Sequence, residues 1–152
     1  MALSLLDLEW KEQIYQCVGD DGIHTCVAIN RLYKWVQANK KKLEIQLVPV
    51  DPGLAASFIK DNVVSRERIM ELIHRTDLEP IIWGKDGTFT EGRPDVFLMD
   101  GHHRYALHAA ARVAFIKSYV LEMEQWEAFR ITDAPEITQD QLRDVPILRR
   151  LY

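Results

Sequence analysis

Hydrophobic and polar positions follow two periods along this chain, and the change between them comes near residue 43. Over residues 3–16, Leu5, Leu6, Leu8, Ile14 and Tyr15 are interleaved with charges, a spacing that predicts a short amphipathic helix. Gly19, Asp20, Asp21 and Gly22 predict a turn. Residues 23–29 carry β-branched side chains and fit a strand or the start of the next helix equally. Asn30 to Lys42 places Leu32, Trp35 and Val36 on one helical face. Trp10 and Trp35 read as packing residues.

Past residue 43 the pattern shortens. Leu43 to Val50 predicts a strand, and Pro49 marks it as an edge or a strand end. Asp51, Pro52 and Gly53 predict a turn, and residues 54–64 fit no single pattern. Ser65 can cap a helix over residues 66–74 that buries Ile69, Leu72 and Ile73. Pro80 to Trp83 and Val96 to Asp100 predict two strands joined by a polar, glycine-containing hairpin. A helix rich in alanine and leucine follows Gly101, and Phe115 to Glu122 predicts a last strand. Glu124 to Phe129 reads as a helical turn, and Thr138 with Gln141 as the capping start of a short terminal helix. The expected class is α/β (α+β): a mixed sheet with helices over residues 45–131, a helical extension over 1–44 and a tail over 132–152.

Composition narrows this picture. The chain has 152 residues, 47% hydrophobic and 28% charged, the balance of one ordinary globular domain. A formal net charge of −4 argues against a dedicated non-specific DNA binder. A basic patch from Lys40, Lys41 and Lys42 or from Arg149 and Arg150 leaves DNA as a less favoured partner. Cys17 and Cys26 match no metal spacing and are too few for a disulfide framework, so reduced thiols and a cytoplasmic location are expected. Residues 1–13 show no basic leader, and no apolar run is long enough to cross a membrane. The apolar face of residues 3–15 is a candidate oligomer contact.

Candidate chemistry concentrates in VFLMDGHHRYALHAAARV, residues 96–113. A strand passing through glycine into a helix start directs backbone N–H groups outward. With the helix dipole and a guanidinium these suit a phosphate or another anion. Gly101, His102, His103 and Arg104 are therefore the candidate anion-binding residues. Asp100 can cap the helix, hold a metal ion or orient a histidine. A zinc site from His102, His103 and His108 is disfavoured, because none of these pairs is four residues apart on one helical face. Tyr105, Leu107 and Trp83 read as core, and His108 as structural.

With DGHHR at the strand-to-helix turn, this order of elements resembles the ParB/sulfiredoxin-like fold over about residues 45–122. The anchors are VPVD at 48–51, RERIMELI at 66–73, PIIW at 80–83 and FLMDGHHRYAL at 97–107. The resemblance implies that Gly101, His102, His103 and Arg104 face the phosphates of ATP, ADP or CTP. For Asp100 the functional reading is a Mg²⁺ ion or a substrate hydroxyl, since phosphoryl transfer needs charge neutralisation and positioning more than a strong base. Sulfiredoxins carry a cysteine where this chain has His102, so reduction of a sulfinic acid is not expected. Chromosome-partitioning ParB proteins have a helix-turn-helix domain after this region, for which too few residues follow here. Free-serine kinases of this fold match DGHHR best, and in them the aspartate matching Asp100 and an upstream glutamate serve catalysis. That upstream position falls near Asp61 or Asn62, with Glu67 nearby. The expected function is nucleotide hydrolysis or phosphoryl transfer to a small-molecule acceptor, with Asp100, His103 and Asp61 as catalytic candidates. The alternatives are a ParB-like nuclease or DNA-associated regulatory module, and a non-catalytic protein-interaction module.

Overall fold

The computed structural model describes residues 3–4, 13–18, 24–61, 63–75, 78–90, 93–132 and 149–150. Two compact units divide the chain. One comprises residues 43–121, and the other joins residues 1–42 to residues 122–151.

The unit of residues 1–42 and 122–151 is not only helical. Residues 13–16, expected at the end of a helix, belong to strand β1 (Gln13–Val18), which pairs antiparallel with β2 (His24–Ala28). The reason is non-local pairing, which overrides a weak local period. Helix α1 (Ile29–Asn39) follows β2 and buries Ile29, Leu32 and Val36, whereas Trp35, expected on the same face as Leu32 and Val36, is half-buried, with its ring 6.3 Å from that of Phe129. Residues 122–132 sit with these elements. The Ile131 N–H donates to the Cys26 carbonyl at 2.8 Å, and the Leu3 N–H donates to the Arg130 carbonyl at 2.8 Å. The apolar segment 5–12 and the expected helix from Thr138 lie outside the described residues.

The second unit is a mixed four-stranded sheet with helices, an α+β arrangement. Its strands are β3 (Gln46–Pro49), β4 (Ile81–Thr90), β5 (Arg93–Asp100) and β6 (Phe115–Leu121). They lie in the order β3-β6-β4-β5. Only the β4–β6 pair is parallel. Helix α2 (Pro52–Lys60) starts where a turn was expected. The Asp51 carboxylate accepts from the Gly53 N–H at 2.8 Å, and Pro52 occupies the first helical position, where its missing N–H costs nothing. Helix α3 (Arg66–Leu72) is capped by the Ser65 hydroxyl, as its sequence predicts. Of the three residues expected to be buried there, only Leu72 is; Ile73 is 46% exposed. Helix α4 (His102–Ala110) follows β5 directly. The core joins Ala55 of α2, Tyr105 of α4 and the sheet residues Ile81, Trp83, Leu98 and Ile116. Among the described residues no helix is long and apolar enough to cross a membrane.

Candidate functional site

Strand β5 reaches α4 through a local distortion of the sheet. Trp83 faces Leu98 and Ile82 faces Asp100, so Met99 is an extra residue on β5. Such a bulge bends a strand and re-aims the residues that follow it. Gly101 then takes φ +106°, in the left-handed region. A Cβ there would lie 2.7 Å from Ile81 Cβ and closer still to its Cγ2, so the position demands glycine on both conformational and steric grounds. Its carbonyl accepts the first bond of the helix, from the Tyr105 N–H at 2.9 Å.

The first turn of α4 is capped by no side chain, whereas Asp51 caps α2 and Ser65 caps α3. Asp100, a candidate for that capping role, serves Arg104 instead. Arg104 Nη2 donates to Asp100 Oδ2 at 3.2 Å in an i, i+4 pair whose side chains are mostly buried. Arg104 Nη1 donates to the backbone carbonyls of Glu79 at 2.7 Å and Pro80 at 3.3 Å. The guanidinium thus ties the end of β5 to the chain entering β4. Burial raises the pKa of Asp100; the charge and hydrogen bond of Arg104 and the Gly101 N–H oppose this, and Glu79 adds to it.

The two histidines turn inward. His102 is 3% exposed, with its ring edge-on to Phe58 of α2 at a centroid distance of 4.9 Å. Burial, then the charges of His103 and Arg104, push its imidazole down to about 3. His103 Nε2 accepts from the Ser65 N–H at 3.1 Å, joining α4 to the start of α3. Since Nε2 accepts, Nδ1 carries the proton of the neutral ring. Burial and then Arg68 hold His103 down to about 4, with Glu71 opposing. Both rings are neutral near pH 7. His108 donates from Nδ1 to the Arg104 carbonyl at 2.8 Å, a structural role as its sequence position suggests.

Behind the turn lies a chain of aromatic rings. Tyr105 is edge-on to Phe58 at 5.8 Å and to Trp83 at 5.7 Å, and its hydroxyl accepts from the Asp51 N–H at 2.6 Å. Trp83 Nε1 donates to Ser118 Oγ at 3.0 Å. Both aromatic residues are core, as expected. Their partners carried no signal in the sequence, because Phe58 lies in a segment of ambiguous period and backbone groups have no signature at all.

Asp61 lies at the exposed C-terminal cap of α2, and Glu67 in the exposed first turn of α3. Neither belongs to the Asp100–Arg104 pair. Among the described residues no three His, Cys, Asp or Glu side chains are grouped to hold a metal ion. Asp100, the expected Mg²⁺ ligand, already faces the Arg104 guanidinium, so a resident Mg²⁺ does not fit this carboxylate.

Comparison with protein-family models, curated proteins and solved structures gives no match.

Proposed function

We propose that the turn into α4 binds phosphate, and that through it the protein binds a nucleotide of the ATP, ADP or CTP kind, as its resemblance to ParB/sulfiredoxin-like proteins implies. The observation that carries this reading is the α4 start: a left-handed glycine followed by a first turn without a side-chain cap. The N–H groups of His103 and Arg104 are the ones a capping oxygen would take, and an anion takes the same place. Arg104 stands beside them, held by one carboxylate and two carbonyls. A phosphate oxygen is a strong acceptor for a guanidinium and competes with Asp100 for Nη2. That exchange frees the Asp100 carboxylate, whose raised pKa suits it to accept a proton from a water or an acceptor hydroxyl. Hydrolysis or phosphoryl transfer to a small molecule is the reaction this supports. His103 contributes orientation rather than base chemistry, because its Nε2 lone pair is held by Ser65.

Thermal melts with ATP, ADP, CTP and GTP, each with and without Mg²⁺, test the reading on the wild type and on Arg104→Gln. The variant removes the charge and the guanidinium fork while keeping a polar side chain. A nucleotide at 100 times its Kd adds about 2.7 kcal/mol to the folded state, a rise in Tm of about 5–10 °C. A rise with one nucleotide in the wild type, absent in a folded Arg104→Gln, is the expected result. No rise with any nucleotide overturns the proposal.

A further inference from the structure

One edge of the four-stranded sheet, that of β3, is built for one kind of partner. β3 is an outer strand, paired only with β6 among the described residues. The Val50 N–H donates to the Ala114 carbonyl, so Val50 turns its polar groups towards β6. Alternation along an antiparallel strand then turns those of Val48 and Gln46 the same way, and those of Pro49, Leu47 and Ile45 outward. Pro49 thus stands where its missing N–H takes nothing from the β6 ladder, which is the position proline tolerates in a sheet. The outward edge offers the N–H groups of Ile45 and Leu47 and the carbonyls of Ile45, Leu47 and Pro49.

The side chains add a second feature. Val48 and Ile116 pack into the core beneath α2 and α4. By the period of two, Leu47 and Phe115 point to the other face, and both stand in solvent, 64% and 52% exposed. Ile45, at the lead-in to β3, is 50% exposed. The register places Leu47 diagonal to Phe115, across from Lys117. Three large apolar side chains therefore flank an open strand edge, a combination that soluble proteins avoid unless the edge is used.

We propose that this edge pairs with β3 of a second copy of the chain, antiparallel about a twofold axis at Leu47, to give one continuous eight-stranded sheet. The twofold sets Leu47 opposite Leu47 of the other copy and Ile45 opposite its Pro49. Leu47 then exchanges two hydrogen bonds across the axis. Each Ile45 N–H reaches a Pro49 carbonyl, so four bonds form. The missing Pro49 N–H costs one bond per copy. The charges agree with this direction. The chain entering β3 carries Lys40, Lys41 and Lys42 and then Glu44, a net charge of +2, and the chain leaving it carries Asp51. Antiparallel pairing brings the basic lead-in of each copy to the acidic exit of the other, whereas a parallel partner copy would align like with like. A twofold contact uses the β3 edge of both copies, and so closes this interface at two copies.

The test is the mass in solution of the full chain across a concentration series, together with amide exchange at residues 45 and 47. The wild type should move from 17.7 kDa to twice that value with rising concentration. Ile45 and Leu47 amides should gain protection over the same range. Leu47→Lys adds a charge at the axis, and Leu47→Pro removes the central donor while sparing the β6 ladder. Both should remain monomeric with an unchanged circular dichroism spectrum. A wild type that stays monomeric at hundreds of micromolar overturns the proposal. So does a dimer in which the Ile45 and Leu47 amides exchange as in the monomer, a readout that holds even where a variant fails to fold.

Discussion

Two residues with left-handed backbone bracket α4, and they differ in what a substitution does. Gly101 at its start has φ +106° and no room for a Cβ beside Ile81. Gly101→Ala combines a left-handed penalty with overpacking, and should cost about 3 kcal/mol in urea unfolding. Arg112, just past the end, has φ 57°. There the Val113 N–H donates to the His108 carbonyl and the Arg112 N–H to that of Ala109, both at 3.0 Å, the two bonds of a Schellman ending. This position favours glycine, and Arg112 is exposed. Arg112→Gly should therefore stabilise the fold by about 0.5–1 kcal/mol, the relief at φ exceeding the entropy glycine loses on folding. A loss of stability in the same urea series would show that the Arg112 side chain holds something more than a helix end. Tyr105→Phe is a third case. It leaves the Asp51 N–H without its acceptor at the start of α2, and should cost about 1–2 kcal/mol.

Helix α3 is the element whose attachment depends on protonation. It buries only Leu72 in its own span, and the Ser65 N–H just ahead of it is held by His103 Nε2. An imidazole that takes a proton on Nε2 can no longer accept that bond. In the unfolded chain a histidine titrates near 6.5, whereas here His103 is held down to about 4 and His102 to about 3. Between those values and about 6.5 the unfolded chain binds more protons, so stability is complete above that pH and falls as the pH drops. Asp100 runs the other way. Its raised pKa lets the folded chain take up a proton early, which offsets part of the loss at the acid end. His103→Gln keeps an oxygen to accept from Ser65 and removes the titration. From about pH 7 to about pH 4.5 it should lose about 2 kcal/mol less than the wild type in urea unfolding. A variant with the wild-type pH slope would mean that His103 is not kept neutral by its burial.

Across the whole molecule, what could be read from sequence was what local chemistry dictates. The inner ends of the hairpin strands, the Ser65 cap, the Gly101 turn and the core roles of Tyr105 and Trp83 follow from period and residue type, whereas residues 84–90 and 93–95, expected between the strands, continue them through pairing with one another. β1 did not, because QIYQCV becomes a strand only through partners at residues 24–28 and 149–150. Nor did α2, since Asp51, Pro52 and Gly53 suit a turn and a helix start equally well. The site was half legible: DGHHR stood out, but the inward histidines and the carbonyls that hold Arg104 appear only once β4 and α2 are beside it. This division bears on which anion the turn takes. Arg104 is one guanidinium, mostly buried and already neutralised by Asp100. The chain around it carries a net charge of −4. A mononucleotide needs only the local N–H groups and that one cation, whereas duplex DNA needs several cations spread along its phosphates and is repelled by the net charge. Fluorescence anisotropy of a short labelled duplex at low salt should therefore stay flat at protein concentrations that saturate with nucleotide. A rise that fades as salt is added would instead move the function to a DNA-associated module, with the lysines at 40–42 as its first contact to mutate.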